Sequence, residues 1–401
     1  MSKDEALINS YIQRVSSLEP KDLRNLQAIL SRAVNEQVTP GLSLWVGVNP
    51  QQSGLSAELS LHEGRHEPNG LAPLITDDSL FDLASLTKPL AGALWFASLV
   101  SQQKLDPHQP ISTIISCEDD LLGQCPIWRL ANHSTGLPAH YQYFLGFAHA
   151  RMTGGSPQHF KQRVRRMIGA TPLSYYPGEK TIYSDLGYLL LEQICEEVSG
   201  ESLDVFWEKY KVNTEQLHFK PLQSTTHTAS KVNENYVPTE RCSWRKRLLQ
   251  GEVHDDNAWL MGGVCGHAGL FGTAKSVGEE ASRWLRAFHG DYDESWQKYL
   301  QTSVLQWMLD YERRAPMKGS YVVGWDTPSP GYSSAGQFFS RHSIGHLGFT
   351  GTSLWMDLST KVIIVLLTNR VYPDRNQQAS IQGIRWLRPQ IHNEVWRLLQ
   401  A

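Results

Sequence analysis

The chain has 401 residues, with 37 Lys plus Arg against 40 Asp plus Glu and a formal net charge of −3, a balance that excludes nucleic acid or an anionic membrane as a default partner. Hydrophobic residues make up 41% and charged residues 19%, which supplies a large core and excludes the disordered class. Thirteen Trp, 15 Tyr and 12 Phe suit a thick core or an aromatic-walled pocket.

In chain order, Leu7, Ile8, Tyr11, Ile12 and Val15, then Leu23, Leu26, Ile29, Leu30 and Val34, recur at helical spacing broken by Pro20. Two amphipathic helices are predicted, an N-terminal extension over 1–36. Pro40-Gly41 stops the second, and LSLWVGV and ELSLHEGRH read as strands joined by NPQQSG. A long apolar helix is predicted over Lys88–Leu105, and the middle of the chain, to about 250, reads as mainly helices and loops. Strands return in GTSLWMDL and KVIIVLLTNR, a hairpin around Ser359-Thr360, and a helix ending in WRLLQ follows. The expected fold is α/β (α+β): an antiparallel sheet flanked by helices and built from both chain ends, with a mainly helical subdomain inserted. The sheet part spans about 37–115 and 270–401, the helical part about 116–269, and 37–401 forms a single catalytic domain.

Five cysteines, at 117, 125, 195, 242 and 265, form no CxxC pair and leave one over, which fits a reducing compartment. MSKDEALINS lacks the basic start and apolar stretch of a signal peptide, so a cytoplasmic location is expected. The most apolar segments, Pro89–Val100 and Val362–Leu367, fall short of the roughly 20 residues that span a bilayer.

HEGRH matches the HExxH zinc pattern through His62, Glu63 and His66, but Gly64 and the alternation of SAELSL make it a strand. Positions i and i+4 then stand roughly 13 Å apart, too far to share a metal. No metal or cofactor is expected. A GxSxG elbow and a Gly-rich phosphate loop are absent. SxxK occurs four times: Ser85/Lys88, Ser101/Lys104, Ser243/Lys246 and Ser295/Lys298. Only the first enters a long apolar helix, where the amine can reach the hydroxyl one turn away and the helix N-terminus favours developing negative charge. Helix capping is the structural alternative for Ser85. Ser101/Lys104 closes that helix, Ser243/Lys246 lies among Arg241, Arg245 and Arg247 in what reads as a solvated face, and Ser295/Lys298 has no companion motif. TIYSDLGYLLLEQI sets Tyr183 and Asp185 just before a helix, and SIGHLGFTGTSLWMDL sets His346 and Gly348 at the edge of the hairpin.

With VTPGLSLWV, LFDLASLTKP, RLANHSTGLP, YYPGEKTIYSDLGYLLL, VHDDNAWLMGGVCGHAGLFGTA and GHLGFTGTSLWMDL in this order, the chain over roughly 25–400 resembles the serine β-lactamase and penicillin-binding protein superfamily, in its branch of class C-like enzymes, esterases and DD-peptidases. The resemblance implies Ser85 as acylated nucleophile, Lys88 as its activator and Tyr183 as proton relay to the leaving group. His346 would stand where relatives carry the Lys of KTG or the His of HxG. Gly348 would let substrate approach the strand, and the Ser85 and Phe349 N–H groups would form the oxyanion hole, worth about 3 to 4 kcal/mol. Asp185 stands where the family usually has Asn, and while ionised it only accepts. It is expected to pair with Lys88 and raise its pKa, so Lys88 and Tyr183 both stay open as the base.

His133 and His267 read as structural hydrogen bonders, Glu252, His254 and Asp255 as possible cleft lining, Trp244, Trp259 and Trp355 as core, and Lys161 to Arg166 as a helix face. The resulting expectation is a serine hydrolase acting through an acyl-enzyme on a small ester or D-amino-acid peptide, esterase ahead of DD-carboxypeptidase or muropeptide hydrolase and β-lactamase last. A penicillin-binding fold that acylates without turnover is the non-enzymatic alternative, and a metal hydrolase would rest on HEGRH alone.

Overall fold

The computed structural model describes residues 3–51, 54–211, 216–222, 234–292, 294–310 and 319–401. Its strands are β1 (Gly41–Gln51), β2 (Gly54–Gly64), β3 (Phe81–Asp82), β4 (Leu217–Phe219), β5 (Arg241–Cys242), β6 (Arg247–Leu248), β7 (Leu270–Gly272), β8 (Ser343–Leu347), β9 (Ser353–Asp357) and β10 (Val362–Thr368). The main sheet is antiparallel in the order β2-β1-β10-β9-β8, so both chain ends build it, as the sequence predicts. At the seam Leu44 pairs with Leu366 and Trp45 with Val365.

Alternation along β1 and β10 divides the core. Leu42, Leu44, Val46, Ile364 and Leu366 join the layer of helices α1 (Lys3–Ser16) and α2 (Arg24–Asn35) and the C-terminal helix Gln378–Gln400, where Tyr11 meets Trp396 edge to face at 5.9 Å. Trp45, Ile363 and Val365 face the other way, into the larger core shared with the helices between the sheet halves. The helix Ala274–Phe288 lies against this face because Gly278 makes room for Trp45; a Cβ there would come within 2.2 Å of the indole. The hairpin turn is as expected: the Asp357 carboxylate accepts from the Ser359 and Thr360 N–H groups, each at 2.9 Å.

Between the sheet halves lie the helices Phe144–Met152, Pro157–Gly169, Asp185–Ser199 and Leu203–Tyr210. Three readings need correction. The middle of the chain also holds β4, β5 and β6, and a small sheet β3-β7-β4; runs of two or three residues carry no readable period. The helix expected over Lys88–Leu105 consists of a π-turn, Lys88–Ala93, and α3 (Leu94–Ser101), ending early because Gln103 turns left-handed at φ 57°. The basic cluster near 245 is solvated at Arg241, Ser243 and Lys246 but not at Arg245, whose side chain is fully buried against Glu252 (3.1 Å) and Asp256 (2.7 Å). Lys161 and Arg165 do share a helix face, which is buried and paired with Glu192 and Glu196. HEGRH lies at the end of β2, where His62 meets Ser43 (3.0 Å) and Asp77 (3.0 Å) and Glu63 accepts from Ser31 (2.9 Å). Among the described residues no helix is long and apolar enough to cross a membrane.

Candidate active site

Ser85 is presented by a tight turn. The Asp82 carboxylate accepts from the N–H groups of Ala84 (2.8 Å) and His254 (2.7 Å), and Ala84 is left-handed at φ 47°, a conformation that costs a non-glycine residue roughly 1 kcal/mol. A 3₁₀ turn, Ala84–Leu86, follows, with Thr87 Oγ1 donating to the Ala84 carbonyl at 2.7 Å. The π-turn then begins at Lys88, and Pro89 falls in its first turn, where a missing N–H costs least.

Lys88 is fully buried, and its Nζ donates to Ser85 Oγ at 3.0 Å, Asp185 Oδ1 at 2.6 Å and the His267 carbonyl at 3.1 Å. Asp185 opens the helix Asp185–Ser199, capped by Ser184, and its second oxygen meets His140 Nδ1 at 3.1 Å. Burial would raise the Asp185 pKa, but Lys88 and His140 outweigh it and hold the carboxyl far below its usual range. For Lys88 the balance is the reverse of the expectation: burial lowers its pKa, and Asp185 only partly offsets this. The hydrogen bond to Asp185 raises the His140 pKa. Asp255 caps the helix Asp256–Leu260 and pairs with His267 at 3.0 Å, adding a second carboxylate near Lys88.

The Tyr183 ring lies 4.8 Å from Lys88 Nζ and 5.8 Å from the His346 ring. Its hydroxyl is buried without a hydrogen-bond partner among the described residues; Ser85 lies near enough to offset part of the rise in its pKa but not in hydrogen-bond geometry. Desolvation above all, and Asp185 next, push the phenol pKa well above its ordinary value. His346 donates from Nδ1 to the Leu347 carbonyl at 2.9 Å, which leaves Nε2 as a bare, buried acceptor. Burial, then the charge on Lys88, push its pKa down to about 3, so the ring is neutral. His133 is structural: Nδ1 accepts from the Ser184 N–H at 3.1 Å and its carbonyl accepts from the Tyr175 hydroxyl at 2.9 Å, fixing the Tyr183 segment.

Beyond β8 the chain turns sharply through Gly348 to Thr352. A Cβ on Gly348 would fall 2.0 Å from Thr352 Oγ1 and 2.8 Å from the Leu83 carbonyl, so glycine is required there. Thr350 Oγ1 donates to the Asp82 carbonyl (2.8 Å) and Thr352 Oγ1 to that of Leu83 (3.3 Å), tying this turn to the one that carries Ser85. The Phe349 N–H donates to no group among the described residues, while its exposed ring stacks on His254 at 5.7 Å.

The Beta-lactamase family profile matches residues 26–385. The chain belongs to the β-lactamase family. It is 33% identical over 324 residues to an Escherichia coli (strain K12) protein named "Putative D-alanyl-D-alanine carboxypeptidase", covering 74% of this chain and 70% of the relative. Among solved structures it matches an octameric penicillin-binding protein homologue from Pyrococcus abyssi (TM-score 0.65, 18% identity, 91% of this chain and 76% of that one). It also matches EstCE1, described as a hydrolase with promiscuous acyltransferase activity (TM-score 0.62, 18% identity, 97% and 99%). The fold is that of β-lactamase and transpeptidase proteins, and the chain falls among their serine hydrolases.

Against this family frame, Ser85, Lys88, Tyr183, Asp185 and His346 come together, with Gly348 and Phe349 on the turn beside Ser85. The other SxxK pairs do not: Ser101 accepts from the Gln301 N–H, Lys246 lies far along the chain in the Arg245 region, and the Ser295 side chain lies outside the described residues. Of the suggested cleft residues only Asp255 joins the Lys88 cluster; Glu252 pairs with Arg245 and Arg247, and His254 pairs with Glu240 at 3.0 Å. Trp259 and Trp355 are core, and Trp244 stacks on Phe144 at 5.0 Å. His140 escaped the sequence reading because it reaches Asp185 across 45 positions and no local pattern marks it.

Proposed function

We propose that the chain hydrolyses carboxylic esters or D-amino-acid peptides through an acyl-enzyme on Ser85, with esters ranked first and residues 37–401 as the catalytic unit. The observation that carries this reading is the buried Lys88 amine 3.0 Å from Ser85 Oγ. Burial favours the free Lys88 amine, which as the base takes the Ser85 proton, and Asp185 stabilises the ammonium that this forms. Tyr183, whose pKa moves up, stays a neutral phenol, so it is not available as the base and holds a proton to give. In this reading Ser85 Oγ attacks the carbonyl carbon, the Ser85 and Phe349 N–H groups donate to the oxyanion, and Tyr183 protonates the leaving oxygen or nitrogen. Tyr183 recovers its proton from Lys88, and water attacks the acyl-enzyme to release the acid and regenerate Ser85.

Esters rank first because both Asp185 oxygens are occupied, by Lys88 and His140, and offer no donor to a substrate amide carbonyl. A D-alanyl carboxypeptidase is the second reading, favoured by the name of the E. coli relative. Steady-state kinetics with p-nitrophenyl esters, a D-alanyl-D-alanine peptide and nitrocefin test both. Wild type should turn over esters best, Ser85→Ala should lose all activity, and Asp185→Asn should shift the kcat/KM ratio toward the peptide. Ester turnover that survives Ser85→Ala would overturn the acyl-enzyme, and a stoichiometric burst without turnover would leave a binding protein.

A further inference from the structure

Arg388 lies in the C-terminal helix, and its buried guanidinium closes on the turn after β8. Nη2 donates to the carbonyls of Gly348 (2.9 Å) and Thr352 (2.8 Å), and Nε donates to that of Gly351 at 3.3 Å. No carboxylate among the described residues pairs with it, and burial, with Arg370 adding, pushes its pKa down to about 9, which leaves it charged at neutral pH. A buried cation held only by carbonyl oxygens is an expensive way to hold a turn; a neutral donor or an apolar side chain would cost less.

The bond to Gly348 gives the charge a use. The Gly348 carbonyl and the Phe349 N–H belong to one peptide group. A cation on the oxygen draws density through the amide resonance and makes the N–H a stronger donor. The far side of the turn is tied to Asp82 and Leu83 through Thr350 and Thr352, so the peptide is held between Arg388 and the Ser85 turn. Next to Arg388, Pro389 removes the N–H that would meet the Arg385 carbonyl, and the Tyr332 hydroxyl donates to that carbonyl instead.

We propose that Arg388 is a positioning residue that polarises the Gly348–Phe349 peptide and so strengthens the Phe349 N–H as a donor to the oxyanion. This rests on the acyl-enzyme reading above. A negative oxygen gains more from a polarised donor than a neutral carbonyl does, so the effect belongs to the transition state.

The test compares Arg388→Gln, which keeps a donor without charge, with Arg388→Lys, which keeps the charge, using a p-nitrophenyl ester and a boronic acid as tetrahedral mimic. Arg388→Gln should lower kcat about 10-fold with KM nearly unchanged, and weaken boronate binding by a similar factor; Arg388→Lys should recover part of both. If Arg388→Gln does not fold, Arg388→Met serves as the uncharged variant. A folded uncharged variant with wild-type kcat and boronate affinity, or with a loss confined to KM, would overturn the proposal. Ser85→Ala run alongside separates the two ideas: ester turnover that survives there fails the acyl-enzyme reading, whereas a silent Arg388 series with a dead Ser85→Ala fails only this one.

Discussion

The Lys88 cluster and the Tyr183–His346 pair adjoin each other and are finished in opposite ways. Lys88 spends its three donors on Ser85, Asp185 and the His267 carbonyl, and Asp185 has a partner on each oxygen. Tyr183 and His346 instead each bury a polar atom with no partner among the described residues, the phenol Oη and the imidazole Nε2. Buried unpaired polar atoms cost stability, commonly about 1 to 3 kcal/mol each. The saturated cluster therefore fixes the Lys88 nitrogen against Ser85, while the unsaturated pair leaves two buried polar atoms with unused hydrogen-bonding capacity.

Mutations should separate the two on activity and stability together. The largest effect is expected from Lys88→Met, which should lower kcat/KM for esters about 10³-fold. It also strands Asp185 in a buried site with only His140, costing about 3 kcal/mol in denaturant unfolding. Lys88→Met/Asp185→Asn should regain most of that stability and none of the activity; a double variant no more stable than the single would refute the ion pair as the anchor of the cluster. Tyr183→Phe should lose about 10²-fold in kcat, more for poor leaving groups, and yet be as stable as wild type or slightly more, because it removes an orphaned hydroxyl. Marked destabilisation by Tyr183→Phe would show that the hydroxyl is structurally engaged and erase the contrast.

A further effect is on pH. Burial holds His346 at about 3 and His392 at about 4 in the folded chain, against about 6.5 when unfolded. Between those values the unfolded state binds more protons, so stability falls as pH drops from about 6.5 toward 4, by up to about 1.4 kcal/mol per pH unit for each histidine. Asp326, raised to about 6, works the other way and is protonated in the fold first. His133, which burial also holds well below its ordinary value, adds to the histidine side, and the net loss is measurable as a falling urea midpoint between pH 7 and pH 4. A flat profile would mean that these histidines are solvated.

The legible parts were those encoded locally. The hairpin Ser353–Thr368 has two short apolar runs and a turn between them, the helix Asp185–Ser199 has a cap and an apolar stripe, and SxxK places its lysine within reach of its serine by helical spacing alone. What escaped depends on partners distant in sequence. Arg245 looked solvated because its acids, Glu252 and Asp256, lie 7 and 11 positions on, across a turn. The sign of the Lys88 shift was misjudged because the sequence names its carboxylate but not its burial. Arg388 meets the turn after β8 from 40 positions away and sits in an unremarkable helical stretch.

The central claim is that Ser85 carries the acyl group, and the direct measurement is peptide mapping by mass spectrometry after an acid quench from p-nitrophenyl acetate. The account predicts one acetyl group on the peptide that contains Ser85, absent from Ser85→Ala and accumulating in any variant that slows deacylation. An acetyl group on another residue of an enzyme that turns over, or ester turnover in Ser85→Ala, would contradict it.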